Sequence, residues 1–230
     1  MQKYQSMKKC SKDEKSFKKG IFITFEGIEG SGKTTQVNLL KDFLKQNKIK
    51  SLFIREPGST ILSEKIREIL LNTEIPIEPL SELFLFLSSR AQITKELIIP
   101  ALKRGEIVVS DRFLDATVAY QGYGRGFDIK FIGSLNAAAA FGLKPDLTFL
   151  LDLPTQNGFK RLDKKLDRLE RESKVFHQKV REGYLKVADE NKERIVVINA
   201  LKGTSEIHKK IKSVVMLKFG KLFEEKKISE

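Results

Sequence analysis

The feature that most constrains this chain is the stretch GIEGSGKT at residues 27–34, which has the spacing G-x-x-x-x-G-K-[ST]. An apolar run at residues 20–25 precedes it and predicts a buried strand, and the amphipathic residues 35–46 after it predict a helix. A glycine-rich loop in this setting wraps a phosphate with backbone N–H groups, and the helix N-terminus adds partial positive charge. The alternative is a chance match in a glycine-containing loop, which the flanking strand and helix disfavour. The sequence therefore predicts that the chain binds a nucleoside triphosphate.

Two residues of this loop have individual expected roles. The Lys33 ammonium is expected to reach the β- and γ-phosphates, and the Thr34 hydroxyl is expected to hold Mg²⁺. The residues at the loop that we predict to contact the triphosphate are Gly27, Glu29, Gly30, Ser31, Gly32, Lys33, Thr34 and Thr35.

Short apolar runs alternate with longer helical segments along the chain, which is typical of βαβ units on a parallel sheet. The predicted strands are residues 21–25, 51–55, 107–110, 147–151 and 195–198. The predicted helices are residues 35–46, 62–71, 79–103, 129–140, 156–170, 174–190 and 205–217. The expected fold class is α/β, a three-layer P-loop NTPase fold with a five-stranded parallel sheet flanked by helices and a short helical lid.

The length of 230 residues suits one such domain. We expect a disordered basic extension at residues 1–19, one P-loop domain at residues 20–217 with its lid at 156–171, and a charged tail at 218–230. The single cysteine, Cys10, excludes a disulfide framework and favours a reducing cytoplasm. His177 and His208 lie far apart and are interpreted as surface residues, not metal ligands. No apolar run approaches the roughly 20 residues of a membrane span.

The net charge of +13 raises the question of a nucleic-acid partner. Part of this charge is local, because residues 1–19 contain seven lysines against Asp13 and Glu14. The remaining charge suits an enzyme with two polyanionic substrates. No basic stripe interleaved with aromatic residues and no zinc-finger spacing is present, so we predict no specific nucleic-acid partner and no membrane partner.

Polar residues follow the predicted strands, at the sheet edge where ligands of such folds bind. Asp111 ends the third strand, where a second carboxylate of P-loop proteins meets the Mg²⁺ shell, although a helix-capping Asp is the alternative. Arg112 and Arg55 each offer a guanidinium that fits a phosphate. Two such arginines predict that the acceptor also carries a phosphate. Asn199 and Ala200 follow the fifth strand.

Two further segments have the chemistry of base recognition. Phe86 and Arg90 are four residues apart on one helix face and could stack on and hydrogen-bond a nucleobase, although Phe86 could equally be a core residue. Gln121 lies in the glycine-rich stretch 120–126, which we expect to be a loop, and offers a donor and an acceptor for a base edge.

Residues 156–171 place cations beside an apolar helical stripe. This pattern is interpreted as a lid that closes over the transferring phosphoryl group, and the alternative is a solvated surface face. The cations are Arg161, Lys164, Lys165, Arg168 and Arg171.

Together these segments resemble the thymidylate kinase family of nucleoside monophosphate kinases, over roughly residues 20–217. The matching segments are FITFEGIEGSGKTTQ, REPGST, FLFLSSRAQ, VVSDRFLDATVAYQGYGR, PDLTFLLDLP and LDRLERES. The resemblance implies phosphorylation of dTMP to dTDP with Mg²⁺ and ATP for dTTP synthesis, in the cytoplasm. It also implies a homodimer formed through long helices, for which residues 79–103 and 129–140 are long enough.

The resemblance also implies a role for each matched residue. Phe86 would stack on thymine, Arg90 would hydrogen-bond its O4, and Gln121 would touch the base. Tyr120 would pack against the deoxyribose, and Glu29 would lie near the sugar 3′-OH and the metal. Asn199 and Ala200 would lie near adenine. The full set implied to contact dTMP is Glu29, Arg55, Phe86, Arg90, Arg112, Thr117, Tyr120 and Gln121, and the set for Mg²⁺ is Thr34, Asp111 and Glu29.

The chain departs from part of the family in its catalytic arginine. One branch carries that arginine inside the phosphate-binding loop, where this chain has Gly30 and Ser31. This matches the bacterial branch, whose arginine comes from the lid, so the catalytic set is Lys33, Arg112 and either Arg161 or Arg168, between which the sequence does not choose.

Three alternative functions remain at this point. One is a P-loop kinase with a different acceptor. A second is a regulatory GTPase, which would want an N-K-x-D motif that residues 191–194 (NKER) do not complete. The third is a DNA-linked ATPase, which only the net charge suggests.

Overall fold

The computed structural model describes residues 20–162 and 166–220. The predicted basic extension at residues 1–19, the lid lysines Lys164 and Lys165, and residues 221–230 of the predicted tail lie outside these described residues.

Five parallel strands form one sheet in the order β2-β3-β1-β4-β5. Their apolar residues are Ile, Val, Phe and Leu, which suit strands covered on both faces. The three central strands are buried along nearly their whole length. The sheet confirms the predicted α/β fold with a five-stranded parallel sheet. The strands are β1 Ile21–Glu26, β2 Ser51–Arg55, β3 Ile107–Asp111, β4 Leu147–Asp152 and β5 Ile195–Asn199.

Helices cover both faces of the sheet. Apolar side chains of α1, α8 and α9 pack with β1 and β4 on one face, and the segment around α4 packs with Phe22 and Val108 on the other. The helices are α1 Lys33–Gln46, α2 Ile61–Leu71, α3 Pro79–Ile93, α4 Ile99–Lys103, α5 Leu114–Thr117, α6 Ile129–Ala139, α7 Thr155–Lys160, α8 Lys174–Glu190 and α9 Thr204–Phe219. Within the described ranges, none of these helices is both long and apolar enough to cross a bilayer.

The pairing of β1 with β3 positions the predicted site. Phe25 of β1 is in register with Asp111 of β3, so the loop after β1 and the polar residues after β3 begin side by side. β2 pairs with the other side of β3, which brings Arg55 opposite Asp111. The carboxyl ends of these strands therefore share one edge of the sheet.

The predicted helix at residues 79–103 is continuous but not uniform. A π-helical segment, Thr94–Ile98, joins α3 to α4. Pro100 explains the local change, because it has no N–H to donate to the carbonyl of Glu96 four residues earlier.

The prediction of a loop at residues 120–126 was wrong. α5 continues directly into a π-helical segment, Val118–Gly124. The glycines there serve close packing: a Cβ on Gly122 would lie 2.6 Å from the side chain of Ile129, and one on Gly124 would lie 2.7 Å from the ring of Phe176.

The prediction of a helix through residues 156–170 was also wrong in its extent, because α7 ends at Lys160. Asp167 gives a physical reason why the end of the predicted segment is not helical. Its Oδ1 accepts hydrogen bonds from the backbone N–H groups of Leu169 and Glu170 at 3.0 and 2.9 Å. Such local bonds compete with helix formation. The helical part of the predicted lid is therefore α7 alone among the described residues.

Candidate functional site

A cleft of about 640 Å³ opens at the carboxyl ends of β1, β2 and β3. It brings together most of the residues predicted from the sequence. Those that line it are Glu29, Gly30, Lys33, Thr34, Arg55, Phe86, Arg90, Asp111, Arg112, Thr117, Tyr120 and Gln121.

The glycine-rich loop between β1 and α1 forms the floor of the cleft. Gly27, Gly30 and Gly32 have φ angles of 138°, 70° and 91°, which suit glycine and let the loop curl tightly. Lys33 Nζ donates to the carbonyls of Gly27 and Ile28 at 3.0 and 2.9 Å. Burial, together with the nearby Arg112 charge, lowers the pKa of Lys33 to about 8. Ser31 and Thr35 belong to the same loop and the first turn of α1.

Thr34 and Asp111 form the part of the site that fits a metal ion. The Thr34 hydroxyl donates to Asp111 Oδ2 at 2.9 Å. A hydroxyl and a carboxylate are hard oxygen donors of the kind that Mg²⁺ accepts, and Mg²⁺ completes its shell with waters and phosphate oxygens. No group of three His, Cys, Asp or Glu side chains within residues 20–162 and 166–220 is arranged to hold a metal. The protein would therefore supply only part of the coordination.

Glu29 and Arg112 face each other across the cleft. Arg112 Nη2 lies 2.8 Å from Glu29 Oε1, and the Tyr120 hydroxyl donates to the same oxygen at 2.6 Å. Burial opposes the charge on Glu29, but Arg112 and Lys33 hold its pKa below the ordinary value. Arg112 itself has φ 72°, a conformation that non-glycine residues seldom adopt outside functional sites. The pair keeps a guanidinium aimed at the cleft.

The interpretation of His177 as a surface residue was wrong. Its side chain is buried on α8, with Nδ1 3.6 Å from Glu29 Oε2. The rings of Phe159 and Phe176 pack edge-on against the His177 ring, with distances of 4.8 and 5.5 Å between ring centroids. Its position beside the phosphate-binding loop depends on how α8 packs against α7, a long-range contact that helical spacing alone does not reveal. His208 is half-buried on α9.

Two arginines lie on the wall of the cleft that begins after β2. Arg55 is largely exposed and pairs with Glu64 at 2.9 Å. Arg67, on α2, also lines the cleft and donates to the carbonyl of Pro57 at 3.0 Å. Arg67 was not among the predicted site residues, although α2 follows the turn at Pro57 and its position there is a signal for it.

Phe86 and Arg90 lie on one face of α3, but their environments differ. Phe86 is half-buried and lines the cleft. Arg90 is 1% exposed, and all five of its N–H groups already have partners. Those partners are the Glu56 carboxylate, the side chains of Thr117 and Asn136, and the carbonyl of Phe113. In this structure no N–H of Arg90 is left for a base.

The two lid arginines that the sequence could not separate lie in different places. Arg161 donates to the carbonyls of Gly30 and Ala200 at 3.3 and 3.1 Å, so it lies over the phosphate-binding loop. Arg168 donates to the carbonyl of Leu70 at 2.9 Å and to Glu82 at 2.7 Å, away from that loop. Neither arginine lines the cleft. Asn199 ends β5 and Ala200 follows it, where its carbonyl accepts from Arg161. Neither residue lines the cleft.

Glu26, at the end of β1, makes folding sensitive to pH. Tyr184 and the Phe113 N–H donate to its carboxyl group at 2.9 and 2.8 Å. Burial, reinforced by the Asp115 charge, raises the pKa of Glu26 from 4.5 to about 8. Between these values the folded chain holds a proton that the unfolded chain has released. The free energy of unfolding should therefore fall as pH rises through this window.

We expect Glu26→Gln to flatten this dependence, because the amide cannot ionise and still accepts from Phe113. Urea unfolding midpoints at pH 5, 6.5, 8 and 9 would measure the slope for each chain. Glu68→Gln, at an exposed pair with Lys65, is the matched control and should keep the wild-type slope. Equal slopes for wild type and Glu26→Gln would contradict the assignment.

Comparison with known proteins gives consistent matches over most of the chain. A family profile described as "Thymidylate kinase" matches residues 25–211. The thymidylate kinase of Kosmotoga olearia is 46% identical over 204 residues, which cover 88% of this chain and 98% of that protein. The thymidylate kinase of Carboxydothermus hydrogenoformans is 51% identical over 180 residues, covering 77% and 89% respectively. The crystal structure of thymidylate kinase from Ehrlichia chaffeensis superposes with a TM-score of 0.70 at 35% identity, covering 85% of this chain and 98% of that one.

Proposed function

The chain belongs to the thymidylate kinase family, and we propose on that premise that its cleft converts ATP and dTMP to ADP and dTDP. The observation that carries the proposal is the composition of one cleft. A phosphate-binding loop with Lys33 forms its floor, and Arg55, Arg67 and Arg112 line its walls. A simple triphosphatase has no need of several guanidinium groups in addition to the loop, whereas an acceptor that carries its own phosphate does. Family membership leaves no support for the GTPase and DNA-linked ATPase alternatives.

The transfer forms a bond between an oxygen of the dTMP 5′-phosphate and the γ-phosphorus of ATP. The bond from that phosphorus to the oxygen bridging the β-phosphate breaks, and ADP leaves. The attacking oxygen is already anionic near neutral pH, so no general base is needed. Catalysis then consists of in-line positioning and charge neutralisation by Lys33, Arg112 and the lid arginine, which we assign to Arg161 because it lies over the loop.

Thr34 and Asp111 are the residues that would hold Mg²⁺ together with the phosphates. When bound, Mg²⁺ supplies electrostatic stabilisation of the charge on the transferring group. Arg112 and Tyr120 both donate hydrogen bonds to the Glu29 carboxylate. We therefore propose that Glu29 acts mainly on the acceptor, near the sugar 3′-OH, and contributes less to binding Mg²⁺.

On the acceptor side, Arg55 and Arg112 would grip the 5′-phosphate, Phe86 would stack on thymine, and Tyr120 would pack against the deoxyribose. Thr117 and Gln121 would contact the base edge. Arg90 acts on the base through Thr117, whose hydroxyl oxygen it contacts at 2.8 Å. Asn199 and Ala200 would border the adenine of ATP, next to Arg161.

We also propose that the chain works in the cytoplasm as a homodimer. Exposed apolar residues occur on α3 and α6, which pack together: Leu80 and Phe84 on the first, Ile129 and Phe131 on the second. A second copy of the chain would cover them. No specific nucleic-acid partner and no membrane partner is proposed.

The test is a coupled ADP-release assay with Mg²⁺ and ATP against dTMP, dUMP, dCMP, UMP, CMP, GMP, AMP and thymidine. We expect the highest kcat/KM for dTMP, because the cleft combines a phosphate grip with an aromatic ring and two polar groups for the base. A higher kcat/KM for another monophosphate would contradict dTMP as the acceptor but would leave the proposed mechanism of phosphoryl transfer unchanged. Activity on thymidine alone would contradict the role of the wall arginines.

A further inference from the structure

Glu82 is a buried carboxylate outside the cleft that contacts a residue inside it. It lies on α3 with its side chain fully buried and accepts hydrogen bonds from three side chains. Gln121 Nε2 donates to Oε1 at 2.9 Å, Arg125 Nη2 donates to Oε2 at 2.9 Å, and Arg168 Nη2 donates to Oε2 at 2.7 Å. Of these partners only Gln121 lines the cleft.

The charge state of Glu82 decides which way the Gln121 amide points. Burial opposes ionisation, but the hydrogen bonds from Arg125, Gln121 and Arg168 hold the pKa of Glu82 below its ordinary value. An ionised carboxylate can only accept hydrogen bonds, so Gln121 must turn its NH₂ group toward Glu82. The carbonyl oxygen Oε1 of Gln121 then faces away from Glu82, and no described residue donates to it.

Thr117, four residues earlier on the same helical segment, is left with the opposite hydrogen-bonding role, because its oxygen is occupied and its hydrogen is not. Arg90 Nη1 donates to the Thr117 hydroxyl oxygen at 2.8 Å, and a guanidinium can only donate. The single hydroxyl hydrogen of Thr117 is therefore directed elsewhere. The bonds to Arg90 and Glu82 therefore leave the Thr117 hydroxyl hydrogen and the Gln121 carbonyl oxygen unused, and both residues line the cleft.

An acceptor such as the Gln121 carbonyl oxygen, placed opposite N3 of the base, distinguishes two classes of pyrimidine. Thymine and uracil carry an N3–H donor next to carbonyl acceptors, whereas cytosine carries an N3 acceptor next to an amino donor. We propose that Glu82 is a positioning residue that makes the cleft select against cytosine by fixing the amide orientation of Gln121. The proposal rests on the proposed function, because it assigns the specificity of the same acceptor site.

The test is Glu82→Gln, which is isosteric but offers both a donor and an acceptor, so the Gln121 amide is no longer held in one orientation. We expect the ratio of kcat/KM for dTMP to kcat/KM for dCMP to fall at least about tenfold, because a buried polar group that faces the wrong partner loses its hydrogen bond and regains none from water. The loss should disappear in a Gln121→Leu background, where no amide remains to be oriented.

Glu172→Gln is the matched control. It removes the ion pair that Arg125 makes with Glu172 at 2.7 Å, in the same network, and leaves the Glu82–Gln121 contact in place. Its dTMP/dCMP ratio should equal that of wild type. If Glu82→Gln lowers kcat/KM equally for both acceptors, the ratio is unchanged and the proposal is overturned in favour of a purely structural role.

A second variant, Glu82→Asp, tests the proposal even if Glu82→Gln does not fold. Glu82→Asp keeps the charge for Arg125 and Arg168 but shortens the reach to Gln121, so a smaller fall in the ratio is expected, and an unchanged ratio overturns the proposal. The assay of the wild-type chain distinguishes failure of the proposed acceptor from failure of the proposed role of Glu82. If the wild-type chain itself does not prefer dTMP to dCMP, the proposed acceptor fails before the role of Glu82 is considered.

Discussion

A Lys33→Met variant is expected to transfer phosphate at least about a thousand times more slowly than the wild-type chain, with kcat carrying most of the loss. The ammonium of Lys33 is buried at the base of the loop, where it is held by the carbonyls of Gly27 and Ile28. A buried cation stabilises charge that develops on the transferring group more than a solvent-exposed cation would. Methionine keeps the apolar stem and removes the ammonium with its charge and its hydrogen bonds, and the rate of ADP release with saturating ATP and dTMP measures their combined effect.

The control for Lys33→Met is Lys45→Met, on the exposed face of the same helix α1. It should retain wild-type kcat, because its ammonium lies in solvent outside the cleft. Binding of dTMP to Lys33→Met, followed by isothermal titration, should persist because Arg55 and Phe86 are untouched. A Lys33→Met chain that keeps more than a tenth of wild-type kcat would remove the loop from the catalytic mechanism.

The strands and the phosphate-binding loop could be predicted because their signals are local. β-branched runs such as IVVS and IVVI leave few options other than buried strands, and the loop residues are consecutive in the sequence. All five predicted strands appear within one residue of their predicted ends. The cleft at their carboxyl ends then follows from the parallel order of the sheet.

Other features depend on contacts between distant parts of the chain, and the sequence gives no direct signal for them. Gly122 and Gly124 suggest a loop, yet close packing against Ile129 and Phe176 gives them a role inside a helical segment. His177 has the spacing of an ordinary helical residue and reaches Glu29 only through the packing of α8. Local propensity is overridden in both cases by tertiary structure.

The arginines near the cleft illustrate the same limit. Arg112, Arg90 and Arg125 are alike in sequence, but each is held by a different carboxylate: Glu29, Glu56 and Glu82 respectively. These pairings decide whether a guanidinium faces the cleft or supports a neighbour that does. Carboxylates that hold arginines in this way keep the side chains of a binding site in the geometry that binding requires.

Removing the Arg90 guanidinium is expected to have the largest effect on stability. Arg90 and Glu56 are both about 2% exposed, with Nη2 and Oε2 2.7 Å apart. Burial raises the pKa of Glu56, an effect that Arg90 partly offsets. Arg90→Met would leave the Glu56 carboxyl buried without its charge partner, so we expect the free energy of unfolding to fall by about 3–5 kcal/mol. Urea denaturation at neutral pH measures this loss.

The double variant Arg90→Met with Glu56→Leu tests the physical reason for that loss. It removes both buried charges, so part of the lost stability should return, since apolar residues of similar volume often replace a buried ion pair at little cost. Lys65→Met, which breaks the exposed Lys65–Glu68 pair, should change the unfolding midpoint little. A double variant less stable than Arg90→Met would show that the lost hydrogen bonds to Thr117, Asn136 and Phe113, and not the stranded carboxylate, account for the effect.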